Sequence, residues 1–198
     1  MDGTTSANSL NVEVVGQILA GMVILLWGVK FVDALIFGGK MRDSFSIIPR
    51  SSFGITRILF SPLVHSDTAH LRANTVPLVV LAALLLFNHF QVFWLLTVVI
   101  IVIDGLGTWL FGSKGKHLGA SGVILGYFGF TLAQLYFDMT PLTLLVAGFV
   151  GVFYRGLFRE IFPWRAGTSN VSHLFGFLGG IAAAYLLNLN LPTGLLAP

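Results

Sequence analysis

The sequence predicts an all-α membrane protein built as one bundle of six transmembrane helices. Three observations carry this reading. Of the 198 residues, 56% are hydrophobic and 10% charged, whereas a soluble domain carries about 25% charged residues. So few charges cannot cover a water-facing surface. Six apolar runs reach or approach the roughly 20 residues needed to cross hydrocarbon. All eleven Lys and Arg residues fall in or beside alternate connections between those runs. Helices are the spanning element expected, because every backbone polar group at membrane depth must be paired within the chain.

The elements follow in order. Residues 1–13 form a short polar segment, and Met1 to Val12 contain no Lys or Arg. Without the basic region of a signal peptide, the first apolar run, 14–37, is expected to remain as a span. Near its end Lys30 and Asp33, three apart, are expected to snorkel to the interface as a pair. The long connection 38–68 contains a turn-like stretch, Ile48-Pro49-Arg50 followed by Ser51, Ser52 and Gly54. Residues 55–64 are apolar but too short to span, and are expected to lie in the interface or pack on the bundle. Runs 71–90 and 92–111 are separated only around Asn88-His89-Phe90-Gln91. Runs 120–137 and 141–158 are separated only around Asp138-Met139-Thr140. Such short connections predict antiparallel neighbours. Asp104, beside Gly105 and Gly107, is expected to face the bundle or water, with a structural role favoured, because a carboxylate at that depth is costly. The fifth connection holds Glu160, Phe162, Pro163 and Trp164, the last an interface anchor. Asn170-Val171-Ser172 matches a glycosylation sequon but abuts a span, and is read as accidental. The sixth run, 171–189, completes a single domain over 14–190, and 191–198 form a tail.

Composition excludes several classes of function. There is no cysteine, hence no disulfide and no thiolate nucleophile. A net charge of +3 without a basic aromatic stripe argues against nucleic acid as a partner. His65 lies five residues before His70 with no Glu between them, so the HExxH zinc signature is absent. No metal and no cofactor is expected. The basic residues are Lys30, Lys40, Arg42, Arg50, Arg57, Arg72, Lys114, Lys116, Arg155, Arg159 and Arg165. Their placement puts connections one, three and five in the cytoplasm and both termini outside.

Ser121, in Gly119-Ala120-Ser121-Gly122, follows a loop-like stretch and so falls in the first turn of its helix. Backbone N–H groups there are free and the helix dipole favours negative charge. An oxyanion formed by attack from Ser121 would find donors in place. Gly119, Gly122, Gly126 and Gly129 are read as helix-packing glycines that give this helix a smooth face. His173, Gly176 and Gly180 stand at i, i+3 and i+7, so they share a face on the last helix, which Gly179 broadens. If that face packs against the glycine face of the Ser121 helix, imidazole and hydroxyl meet at one depth. His173 could then take the Ser121 proton and return it to a leaving amine. No acidic residue is placed as a third member, so a Ser-His dyad is favoured over a triad. His70 and Asn74, four apart at the start of the second span, can donate to a developing oxyanion.

Together these residues resemble the rhomboid family of intramembrane serine proteases. The resemblance rests on Pro62-Leu63-Val64-His65, His70-Leu71-Arg72-Ala73-Asn74, Gly119-Ala120-Ser121-Gly122 with Gly126 and Gly129, and His173-Leu174-Phe175-Gly176 with Gly180. Arg57, eight residues before His65, fits the family's loop-one arginine. The resemblance implies a six-helix core, Ser121 as nucleophile, His173 as base, and an oxyanion hole of His70, Asn74 and the Ser121 N–H. It also implies an endopeptidase acting on transmembrane substrate proteins within the lipid bilayer of a prokaryotic cell, and connection five as a movable cap over the site. Leu125 stands where many members carry Tyr, and Thr56 where Trp is frequent before the arginine. Characterised bacterial members open their site to the cell exterior, opposite to the side the charge pattern indicates. The alternative is a catalytically inactive rhomboid-like protein that binds transmembrane clients.

Overall fold

A computed structural model describes residues 12–52, 54–161 and 170–190. Residues 1–11, the loop-five residues Phe162, Pro163, Trp164 and Arg165, and the tail 191–198 lie outside the described residues. Among the described residues the elements are α1 (Val12–Leu35), α2 (Met41–Phe45), α3 (Gly54–Phe60), α4 (Thr68–His89), α5 (Phe93–Phe111), α6 (Ser121–Phe137), α7 (Pro141–Phe153), α8 (Gly156–Ile161) and α9 (Asn170–Asn190). Short 3-10 turns occupy Ser61–Leu63 and Phe90–Val92. An isolated antiparallel bridge joins Ile47 to His117. Three helical stretches, Val12–Leu35, Thr68–Phe111 and Asn170–Asn188, are long and apolar enough to cross a membrane, and Ser121–Phe137 and Pro141–Phe153 are apolar but shorter. The chain is an all-α membrane protein.

Helix boundaries follow local chemistry. Asp67, in extended conformation, caps α4 by accepting the His70 N–H, as N-cap carboxylates do. Thr140 and Thr143 form a reciprocal capping box ahead of α7, with Pro141 at its first position, where a missing N–H costs nothing. The fifth apolar run was expected to continue to 158. The helix instead ends at Phe153, where Tyr154 and Arg155 turn the chain and the Leu157 N–H bonds the Tyr154 carbonyl at 2.8 Å. The separate helix α8 follows.

The central helix is α6, in which every residue from Gly122 to Thr131 is buried. Its largest contact is with α9, and α5 packs against α9 next most extensively. The short connection between α4 and α5 was expected to make them antiparallel neighbours. They make little contact, because α6 lies against both. The apolar segment 55–64 does pack on the bundle: α3 lies on α5, with Ile58 seated where a side chain at Gly105 would be. By contrast α7 turns Leu142, Leu145, Val152 and Phe153 outward, as a helix bathed in lipid requires.

Apolar association has no water-driven force in lipid, so helices there hold together by close packing and hydrogen bonds. The α6–α9 contact has both. A Cβ on Gly176 would strike the Gly122 carbonyl, and one on Gly180 the Gly126 carbonyl. The glycines of α9 thus let backbone meet backbone. Those of α6 serve two partners. Gly129 meets the Phe177 carbonyl of α9, whereas Gly122 and Gly126 admit Asp104 and Ile100 of α5. Gly179 faces Ile100 and Ile103 of α5. At the other end of the pair, Asn188 Nδ2 donates to Gln134 Oε1 at 3.4 Å.

Gly180→Ala is expected to lower the thermal midpoint in detergent, with a loss on the order of 1–3 kcal/mol from overpacking against rigid backbone. Gly148→Ala on α7, where an added Cβ meets nothing within 4 Å among the described residues, should be neutral or stabilising by up to about 1 kcal/mol through helix propensity. Equal effects at the two positions would contradict the packing argument.

Candidate active site

The residues marked out by sequence converge around the start of α6. Ser121 is its first residue, and the preceding Ala120 provides no side-chain cap. The first-turn N–H groups therefore have no partner from an N-cap side chain. Gly119 was grouped with the helix-packing glycines, but it lies in the loop before α6. Its φ of +108° is a backbone conformation that favours glycine. A Cβ there would lie 2.9 Å from His70 Nε2 and 3.4 Å from Asn74 Nδ2. Gly119 is needed so that these two side chains can reach the Ser121 turn. Its N–H donates to the Ser61 carbonyl at 2.9 Å, tying the turn to loop one.

Ser121 Oγ lies 2.9 Å from His173 Nε2. His173 Nδ1 lies 3.1 Å from the Glu160 carbonyl oxygen. A carbonyl only accepts, so Nδ1 carries the proton and Nε2 of the neutral ring is free to accept from the Ser121 hydroxyl. The arrangement can move the Ser121 proton onto the ring. Sequence reasoning found no acidic partner for His173. Glu160, placed among the cap residues, is brought to it by α8, which packs against α9. Its carboxylate Oε2 stands 3.7 Å from Nδ1 and is half exposed, so the main-chain carbonyl orients the ring. A backbone acceptor on a six-residue helix has no side-chain signature that a sequence could display.

Asn74 is 7% exposed, and its Nδ2 has no hydrogen-bond partner among the described residues. An unpaired buried donor is costly and calls for an acceptor. His70 Nδ1 lies 3.2 Å from Ser66 Oγ, and Ser66 in turn donates to Asp67 Oδ2 at 2.8 Å. With the Ser66 proton so engaged, Oγ accepts from His70 Nδ1–H. Nε2, on the Gly119 side, then carries a proton only when the ring is doubly protonated.

Loop one holds this group in register. Lys30 and Asp33 form the expected pair, but packed against loop one rather than reaching out to the interface. Asp33 is 2% exposed, pairs with Lys30 at 3.3 Å and accepts the Met41 N–H at 2.9 Å. Lys30 Nζ donates to the carbonyls of His65 and Ser66 at 3.2 and 3.4 Å. The end of α1 thus clamps the segment carrying His65 because its carbonyls need donors. Arg57 donates to the Ser46 carbonyl at 3.3 Å, bracing the loop. Arg50 takes the left-handed conformation at the expected turn and caps α5 through the Leu110 and Gly112 carbonyls at 2.9 and 3.1 Å. Asp104 is 6% exposed and accepts from Thr108 Oγ1 at 3.2 Å.

His65 is 2% exposed, and its Nε2 accepts the Ala120 N–H at 3.3 Å. Burial, with help from neighbouring His70, pushes its pKa down to about 4. The unfolded chain takes up that proton near pH 6.5. Between about 6.5 and about 4 the unfolded state therefore binds more protons, so stability is full above that window and falls as pH drops through it. The thermal midpoint should decline on acidification over this range. His65→Gln, which keeps an acceptor for Ala120, should show a shallower decline, and parallel profiles would show that His65 is not the titrating group.

The comparisons with known proteins agree with this architecture. The family model described as the Rhomboid domain matches residues 52–190, which include α3 through α9 and every residue of the site. An uncharacterized protein of Mycobacterium tuberculosis is 34% identical over 182 residues, 87% of this chain and 75% of the relative. One from Mycobacterium bovis matches to the same extent. An uncharacterized protein of Mycobacterium leprae is 29% identical over 187 residues, 87% of this chain and 71% of the relative. An all-α membrane chain matched over most of its length by this family model and by mycobacterial relatives belongs to the rhomboid family.

Proposed function

We propose that this protein is an intramembrane serine endopeptidase that cleaves peptide bonds in or near transmembrane segments of membrane proteins. The observation that carries the reading is the 2.9 Å approach of Ser121 Oγ to His173 Nε2, with His173 Nδ1 occupied by the Glu160 carbonyl. In this reading His173 accepts the Ser121 proton as Oγ attacks the scissile carbonyl carbon. The oxyanion is met by Asn74 Nδ2 and the Ser121 N–H, with His70 joining whenever its Nε2 is protonated. His173 then gives its proton to the leaving amine. A water, deprotonated by the same ring, hydrolyses the acyl-enzyme and restores Ser121.

The reading also accounts for polar groups at membrane depth. His70, Asn74, Ser121 and His173 would line a cavity that water can enter. A substrate helix must unwind locally before attack, since its carbonyls are hydrogen-bonded and shielded. Segments with helix-breaking or small residues are the expected substrates. The proposed unit is one six-helix domain over 14–190, and it needs no metal or cofactor.

Purified protein in liposomes should cleave a transmembrane substrate and be labelled at Ser121 by a fluorophosphonate. Ser121→Ala and His173→Ala should abolish both. Asn74→Ala should lower kcat by about 10²–10³-fold, the usual loss for one oxyanion donor. Cleavage that survives Ser121→Ala would refute the dyad. Folded wild-type protein that neither cleaves nor labels would favour an inactive, client-binding rhomboid relative.

A further inference from the structure

Asp104 takes no part in the chemistry above, yet its carboxylate lies between the two residues that flank the dyad. It projects from α5 at a depth where a carboxylate is costly unless polar groups meet it. Thr108 Oγ1, one turn on, donates to Oδ1 at 3.2 Å. Ser172 Oγ of α9 is a hydrogen-bonding neighbour of the same carboxylate. Gly122 backs directly onto Oδ2. A Cβ there would overlap that oxygen and would lie 3.0 Å from Ser172 Oγ. Gly122 follows Ser121 in the chain and Ser172 precedes His173. One carboxylate therefore joins α5 to the first turns of both α6 and α9, whose dipoles favour an acceptor there.

Packing alone does not call for a carboxylate at this place. One turn earlier on α5, Ile100 fills the space beside Gly126 with hydrocarbon. Farther along, Phe175 of α9 fills the space over Gly107. At the level of the dyad Asp104 fills the space beside Gly122 and meets α9 at the Ser172 hydroxyl, a hydrogen-bonding pair with a direction that hydrocarbon contacts lack. The residue types match that role. Glycine at 122 leaves room for the carboxylate, and serine at 172 offers a short donor.

We propose that Asp104 is a positioning residue for the dyad. By holding Ser172 against the Gly122 turn, it sets the rotation and depth of α9 at which His173 Nε2 meets Ser121 Oγ. The kinetic consequences rest on the proteolytic reading of the dyad, and the placement of the His173 ring does not.

The test uses the full chain in lipid nanodiscs with Asp104→Leu, Asp104→Asn and Ser172→Ala. It reads kcat and KM on a transmembrane substrate, the rate of Ser121 labelling by a fluorophosphonate, and the ¹⁵N resonances of the His173 ring. A misplacement of about 1 Å costs on the order of 10²-fold in rate. Asp104→Leu should accordingly lower kcat and labelling together by about tenfold or more, leave KM unchanged and shift the His173 resonances. Asp104→Asn, which keeps an acceptor for Ser172, should restore most of the rate. Ser172→Ala should reproduce the loss and add little to Asp104→Leu. Folded Asp104→Leu and Ser172→Ala proteins with wild-type labelling rates and His173 resonances would overturn the proposal. Should Asp104→Leu fail to fold, Ser172→Ala decides by the same criterion, since it removes the hydrogen bond and leaves the helix packing. Wild-type protein that neither cleaves nor labels would refute the proteolytic reading alone, and the His173 resonances would still decide where Asp104 acts.

Discussion

Backbone contact between α6 and α9 governs the rest of the molecule. Gly176 and Gly180 bring α9 against the carbonyls of Gly122 and Gly126. Helices in lipid gain little from burying hydrocarbon, so this approach must come from close packing. It also sets the scale of the site. With two helix backbones in contact, a serine at the start of one and a histidine near the start of the other can touch through their own short side chains. A larger residue at Gly176 would strike the Gly122 carbonyl and push apart the helix starts that carry Ser121 and His173.

The loops around that contact are held by hydrogen bonds, which cost little conformational freedom once helix ends supply them. Lys30 and Asp33 hold the His65 and Ser66 carbonyls and the Met41 N–H. Arg50 holds the end of α5, and Arg57 the carbonyl of Ser46. His65 takes the Ala120 N–H while remaining neutral. These bonds leave Asn74 Nδ2, beside the Ser121 turn, as a buried donor without a partner among the described residues. Such a group destabilises a fold, and its retention makes sense where an acceptor arrives from outside.

Much of the architecture was legible because composition and run length respond directly to lipid. Apolar runs and glycines at helical spacing mark helices and their contact faces without reference to partners. Legibility ended where partners decide. The run 141–158 reads as one span, yet Tyr154 and Arg155 divide it. The short connection between α4 and α5 suggested packed neighbours, but α6 occupies the space. Lys30 and Asp33 read as an interface pair because charge alone does not reveal which carbonyls lie nearby. Gly119 read as a packing glycine, although its φ and the nearby His70 ring assign it to the turn.

The sequence by itself determined the membrane class, the helical architecture, the family resemblance and which polar residues stand at helix starts. Each depends on residue type and on spacing along the chain. Only the tertiary structure decided that Ser121 and His173, 52 residues apart, lie 2.9 Å from each other, that a main-chain carbonyl of Glu160 orients the ring, and that Asp104 sits beneath the first turns of two helices. Those facts depend on the rotation and depth of helices remote in sequence. Backbone contacts between glycines set that geometry, and a backbone atom looks the same at every position of a sequence.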